Sequence, residues 1–326
     1  MAIQLKEVRG LLLDMDGVLW RGQEPLPGLQ PFFALLREKG IRLQLVSNNA
    51  TLTPEGVQAR LAVLDVPVEL QEVLTSSMAA ASYLSRQLAP GTPIYAIGQE
   101  GLRTALEKVG LKLQERGEGA QAVVVGMDYQ LTWSKLAEAA YALAEAQLFV
   151  ATNPDRSLPT ERGLAPGNGA ILAALEAATG RTPVVAGKPE PLLFQEGLSR
   201  MQLPAEAALA VGDRLETDIL GGQRAGVATA LLLTGVSRAE DLPGSPIQPD
   251  WVFPDLPASA PRCAEPRIER SPADLRSDAG GTAGLGGGPR PAGLPLPPDL
   301  GVALFPPGPD ARADDQPADR AAAGVG

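Results

Sequence analysis

Four short segments place carboxylates, a lysine and small polar side chains at spacings suited to chemistry on an anion. In LLLDMDGVLW (11–20), Asp14 and Asp16 stand two apart and Gly17 follows. That spacing lets two carboxylates and a backbone carbonyl converge on one small cation. A carboxylate there could also attack phosphorus, with its neighbour as acid or base. Read alone, the same string is a strand followed by an Asp-Gly turn. In LVSNNAT (45–51), Ser47 and Asn48 offer a hydroxyl, an amide and backbone N–H groups to an anion, or simply form a polar loop ahead of a helix. In VVAGKPEP (184–191), Gly187 permits close backbone approach, prolines stiffen the loop, and Lys188 is one fixed ammonium. In LAVGDRLETDILGG (209–222), Asp213 and Asp218 stand five apart, able to face one crevice or to cap a helix.

Composition removes rival chemistries. The 326 residues include no histidine, so Ser-His-Asp and Cys-His nucleophiles and histidine-bound zinc are excluded. The single cysteine, Cys263, allows no intrachain disulfide and no thiolate cluster, and Glu269 stands where a C-x5-R loop needs arginine. With 28 basic and 38 acidic residues the formal charge is −10, the wrong electrostatic footprint for nucleic acid or an anionic membrane. A protein this acidic must neutralise an anionic substrate locally, by a metal ion or a few placed cations. No apolar stretch approaches the length of a membrane span, and no signal peptide is expected, because Leu11–Leu13 runs straight into Asp14. The expectation is a cytoplasmic protein with a reduced thiol.

The elements that must position these residues alternate along the chain. Short apolar runs at 10–14, 41–47, 94–98, 122–127, 148–152, 184–187, 209–213, 228–235 and 251–253 read as buried parallel strands ending in polar loops. Amphipathic stretches at 28–39, 54–64, 76–88, 99–109, 133–146, 167–179, 190–201 and 215–225 read as helices, with Thr53 as one N-cap. Alternation predicts an α/β fold with a mainly parallel sheet, whose ligand site lies at the carboxyl ends of the strands. Two of the segments precede residue 60 and two follow 185, with a further βαβ pattern between them, so a second domain inserted into the first fits. From 258 to 326 the composition changes: 12 prolines and 11 glycines in 69 residues, and no lysine. Such a tail is expected to be disordered. Its composition also fits a shifted reading frame of GC-rich DNA, which re-reading the gene near codon 258 would test.

Taken together and in this order, DMDGVL (14–19), SNNAT (47–51), GKPEP (187–191) and GDRLETDI (212–219) resemble the haloacid dehalogenase superfamily of phosphohydrolases. Within it the chain looks like the branch of nitrophenyl phosphatases, pyridoxal-phosphate phosphatase and the N-acetylglucosamine-operon phosphatase. ATNPD (151–155) and APGNGA (165–170) resemble that branch as well, and the likeness covers about residues 8–257. It implies a Rossmann-like doubly wound core over 1–98 and 182–257, an α/β cap over 99–181 and the tail 258–326. It further implies Asp14 as nucleophile, forming an aspartyl phosphate, and Asp16 as acid then base. Mg²⁺ would sit on Asp14, the Asp16 carbonyl and Asp213, supported by Gly17 and Asp218. Ser47, Asn48 and Lys188 would hold the phosphoryl group, and Asn153 and Asp155 would contact substrate from the cap. The dehalogenases of the superfamily lack an acid at the position of Asp16. The implied substrate is a small phosphorylated metabolite such as a sugar phosphate, a nucleotide or a p-nitrophenyl phosphate-like ester, and cap surfaces could pair two copies into a homodimer. The rival expectations are a phosphotransferase or mutase on the same site, and a non-catalytic sensor of phosphate ligands.

Overall fold

The computed structural model describes residues 7–22, 24–160 and 162–256. The expectations for the tail and for Cys263 fall outside them. Six parallel strands form the first sheet, in the order Trp251–Phe253, Ala228–Leu232, Ala208–Gly212, Gly10–Leu13, Arg42–Ser47 and Val73–Thr75. In chain order this runs 6-5-4-1-2-3, the doubly wound arrangement. Its winding reverses between Gly10–Leu13 and Ala208–Gly212, and a ligand crevice opens where the two carboxyl ends diverge. The residues next in sequence to these strands are Asp14 and Asp213. Side chains alternate across the sheet: Leu11 and Leu13 join one apolar cluster, with Leu36, Leu45, Leu61 and Val211, while Leu12 joins the other. A strand covered on both faces has to be apolar throughout, as this one is.

A second sheet, also parallel, takes the order Val184–Val185, Leu148–Ala151, Ala122–Val125, Pro93–Ile97 and Lys112–Gln114. It includes Pro93–Ile97 and Val184–Val185, which lie outside the span 99–181 expected for the cap. The two sheets also share a core. Leu12, Val46 and Leu74 of the first sheet share one buried layer with Ile94, Val124 and Val150 of the second, and Leu84, Leu102, Leu193 and Phe194 from the intervening helices complete it. No linker of distinct composition marks where one sheet's territory ends.

Helices fall close to their expected places. Pro54–Val63 starts at Thr53, whose hydroxyl accepts from Gly56 N at 3.2 Å, and Ser76–Ser85 starts at Thr75, which accepts from Met78 N at 3.4 Å. Thr75 also ends a three-residue edge strand, Val73–Thr75, that the sequence pattern does not reveal. Lys112–Gln114 and two hairpins, Trp20–Arg21 with Glu24–Pro25 and Ser157–Thr160 with Gly163–Pro166, escape the pattern because each strand is only two to four residues long. The helix expected over 215–225 begins as a π-helical turn, Leu215–Ile219, and continues as Leu220–Arg224. Among the described residues no helix is long and apolar enough to cross a membrane.

Candidate active site

Asp14 extends the first strand by one hydrogen bond, its N–H donating to Val211 O at 2.9 Å, and its side chain is 7% exposed in the crevice. Lys188, 3% exposed, reaches it from the end of the second sheet. Its ammonium donates to Asp14 Oδ1, pairs with Asp218 Oδ1 at 2.6 Å and touches Val46 O at 3.4 Å. Asp213 is fixed from the loop beyond Ala228–Leu232: its Oδ2 accepts from Val236 N at 2.7 Å and its carbonyl from Ser237 N at 3.0 Å. Asp218 Oδ2 accepts from Arg214 N at 3.1 Å, which the π-helical turn brings into reach.

Asp14, Asp213 and Asp218 each offer an oxygen within 4.8 Å of the others, all from buried side chains. Glycines make the cluster possible. Gly17 has φ +82°, and a Cβ there would lie 2.4 Å from Asp213 Oδ2; a Cβ at Gly212 would lie 2.2 Å from the Asp218 Cβ.

Three carboxylates against one ammonium leave the cluster two charges negative in a desolvated place. Burial raises the Asp14 carboxyl well above its ordinary value, Lys188 opposes, and Asp218, Asp213 and Asp16 add to the rise. Burial and then Asp218 push Asp213 up to about 6, against the Val236 N–H, Lys188 and Arg214. Burial alone would depress Lys188, but Asp14 and Asp218 outweigh it and hold the ammonium above its ordinary value. A hard divalent cation answers this arrangement: the donors are all oxygen, the charge deficit has its sign, and no histidine or thiolate competes. The residues present therefore fit Mg²⁺.

Asp16 lies apart from that cluster. It is exposed, and its Oδ1 accepts from the Trp20 indole N–H at 2.7 Å, while the Arg60 guanidinium lies 3.9 Å over the indole ring. Gly17 N donates to Trp20 O at 2.7 Å, closing the turn, and Thr234 Oγ1 donates to Gly17 O at 2.6 Å. Ser47, buried, ends Arg42–Ser47 with its Oγ accepting from Asn49 N at 3.0 Å.

From the insertion, Asn153 Nδ2 donates to Asn48 O at 2.9 Å, and Asp155 Oδ2 accepts from Asn48 Nδ2 at 3.3 Å. Burial raises the Asp155 carboxyl, opposed by the Asn48 bond and by Arg214 and Lys188. The structure thus gathers Asp14, Lys188, Asp213 and Asp218 at one point, Ser47 and Asn48 on the adjoining strand end, and Asn153 and Asp155 on the facing turn.

Several contributing residues are given no individual role by the sequence reading. Trp20 holds Asp16. Arg214 supplies a positive charge near Asp155 and Asp213. Asn168 Nδ2 donates to Asn153 O at 2.7 Å, and Gly169 N to Asp155 O at 2.8 Å, so the APGNGA string braces the Asn153–Asp155 turn. A Cβ at Gly167 or Gly169 would come within 2.3 Å or 2.4 Å of that turn's carbonyls, a signal present in the GNG spacing. Trp20, four residues past Asp16, carries no such mark.

A doubly wound sheet with carboxylates at its switch point and a lysine brought in behind an inserted α/β domain defines a class of hydrolase. Residues 11–112 match the model of the haloacid dehalogenase-like hydrolases, and 185–259 a second model of such hydrolases. The chain belongs to the haloacid dehalogenase-like hydrolase family. It is 39% identical over 252 residues to a protein of Staphylococcus aureus named acid sugar phosphatase, covering 77% of this chain and 96% of that one. Among solved structures, p-nitrophenyl phosphatase from Archaeoglobus fulgidus is 32% identical with TM-score 0.74, covering 78% of this chain and 98% of that one. Glycerol phosphate phosphatase from Mycobacterium tuberculosis, in complex with magnesium, is 41% identical with TM-score 0.72, covering 79% and 78%.

Proposed function

We propose that the protein is a Mg²⁺-dependent phosphatase of small phosphate monoesters that works through an aspartyl phosphate. The phosphatases among its relatives and the family fold make it a phosphoric monoester hydrolase. The observation that carries the finer reading is the meeting of Asp14, Lys188, Asp213 and Asp218 at the sheet's switch point.

In this reading a carboxylate oxygen of Asp14 attacks phosphorus, and the bond from phosphorus to the ester oxygen breaks. Asp16 gives its proton to the departing oxygen. It then takes a proton from the water that attacks the aspartyl phosphate, releasing inorganic phosphate and restoring Asp14. Lys188, the Ser47 hydroxyl and the Asn48 backbone N–H hold phosphoryl oxygens and stabilise the charge of the transition state. Asn153 and Asp155 form the wall that meets the rest of the substrate. Asp14, the Asp16 carbonyl and Asp213 would hold Mg²⁺, which supplies positive charge to the phosphoryl group and offsets the clustered carboxylates.

Substrates of the sugar phosphate, nucleotide and p-nitrophenyl phosphate kinds suit the reading, as does a cytoplasmic place of work. A homodimer would form on the insertion, where Trp133 is 79% and Tyr141 67% exposed. The test is phosphate release from a panel of monoesters with Mg²⁺ or with chelator. Release that requires Mg²⁺ and is lost in Asp14→Asn supports the proposal. Transfer of the phosphoryl group to an added sugar without free phosphate would mark a transferase instead, and unchanged activity in Asp14→Asn would remove Asp14 as nucleophile.

A further inference from the structure

Asn48 makes five hydrogen bonds to other groups of the chain. Its Oδ1 accepts from Lys188 N at 2.8 Å, and its Nδ2 donates to Lys188 O at 2.9 Å. The second Nδ2 hydrogen goes to Asp155 Oδ2 at 3.3 Å. Its backbone carbonyl accepts from Asn153 Nδ2 and from Ser76 Oγ, each at 2.9 Å. The amide's orientation follows from its partners, since Lys188 N can only donate and Lys188 O can only accept. Both side-chain donors are consumed, so the amide has no N–H left for a phosphoryl oxygen.

The clamp depends on close approach. A Cβ at Gly187 would fall 2.5 Å from Asn48 Oδ1 and 2.4 Å from Thr152 O, so a glycine must precede the lysine for its peptide to reach Asn48. Thr152 immediately precedes the Asn153–Asp155 turn. One residue just past the end of Arg42–Ser47 thus grips the backbone of the lysine and the turn of the insertion at once.

We propose that Asn48 is a positioning residue, acting on the reaction through Lys188. Its amide fixes the Lys188 peptide and ties it to the Asn153–Asp155 turn, so that the ammonium on Asp14 and the facing wall of the cleft are placed together. The inference rests on the phosphatase reading for its kinetic consequence, but the clamp itself is measurable without turnover.

The test compares wild type, Asn48→Ala, Asn48→Asp and Asn153→Ala in the full chain, by hydrogen–deuterium exchange and by p-nitrophenyl phosphate kinetics with Mg²⁺. In Asn48→Ala the Lys188 amide, whose acceptor is Asn48 Oδ1, should exchange about tenfold faster or more, the loss of roughly one hydrogen bond's protection. Misplacing the lysine should lower kcat about 100-fold with KM changed less than about threefold. Asn48→Asp keeps an acceptor for Lys188 N but sets a carboxylate against Asp155, so Lys188 should stay protected while Asp155 exchanges faster. Asn153→Ala removes both the donor to Asn48 O and the Oδ1 that accepts from Asp155 N at 3.2 Å, so Asp155 should exchange faster while Lys188, still held by Asn48 Oδ1, stays protected. Asn48→Asp keeps the test open if Asn48→Ala does not fold. Unchanged exchange at Lys188 in Asn48→Ala, or a raised KM with kcat intact, would overturn the proposal and make the amide a substrate ligand. A wild type that releases no phosphate would refute the phosphatase reading, and the exchange data would still decide the clamp.

Discussion

Replacing Asp213 with asparagine preserves the shape of the side chain and an oxygen for the Val236 N–H, now at 2.7 Å, while removing one of three clustered charges. Burial and Asp218 lift Asp213 from the ordinary 3.8 to about 6, so its ionised form near pH 7.5 costs the metal-free fold about 3 kcal/mol. The sign follows from proton linkage. Between those two values the folded protein holds a proton that the unfolded chain has released, so metal-free stability falls as pH rises through that window and levels off above it. The variant lacks this slope. In chelator at pH 7.5 it should exceed wild type by about 3 kcal/mol, or roughly 6–12 °C in Tm for a protein of this size. Near pH 4.5 the same linkage leaves a gap of about 1 kcal/mol. Mg²⁺ should raise the Tm of wild type and do little for the variant, because the carboxylate it would neutralise is gone. Thermal unfolding followed by circular dichroism at both pH values, with chelator or Mg²⁺, measures all four quantities. A variant less stable than wild type in chelator, or one that gains as much from Mg²⁺, would refute the idea that the acid cluster is held against its own repulsion for a cation.

Lys188→Met should abolish phosphate release and, in chelator, cost about 3–5 kcal/mol, because Asp14 and Asp218 lose their shared buried cation. Protonation of the raised Asp14 carboxyl limits the loss, so the cost should shrink on acidification. Urea unfolding at two pH values reads it, and a cost under about 1 kcal/mol would contradict the burial argument. Trp20→Phe removes the indole N–H from Asp16 and keeps an aromatic ring under Arg60. Its kcat should fall about tenfold or more on glycerol phosphate, whose alkoxide must be protonated to leave, and less than about threefold on p-nitrophenyl phosphate. Equal losses on the two esters would show that Trp20 does not act through the proton donor.

Much of the fold is legible because buried parallel strands write themselves as short apolar runs. Leu11–Leu13, Leu43–Val46 and Leu209–Val211 are covered on both faces, and each ends where a polar residue must turn toward the crevice. That is why Asp14, Ser47 and Asp213 stand out as strand-end residues. The less legible parts depend on contacts distant in sequence or on very short elements. Val73–Thr75 is an edge strand of three residues whose threonine already reads as a helix cap. The limits of the insertion are blurred because Val184–Val185 pairs with Leu148–Ala151 rather than with the first sheet. SNNAT offers the Asn48 side-chain amide along with its backbone N–H, because nothing local shows that the lysine peptide 140 residues away, beside Gly187, meets that amide. The brace that Asn168 provides, and the hold of Trp20 on Asp16, are likewise side-chain contacts that periodicity does not register.

The most direct measurement asks where phosphorus goes. During turnover of p-nitrophenyl phosphate with Mg²⁺, borohydride reduces an aspartyl phosphate to homoserine, which peptide mass spectrometry locates. The mechanism requires homoserine at position 14 in wild type and none in Asp14→Asn. Sustained phosphate release with Asp14 left unmodified, or reduction at a different carboxylate, would contradict it.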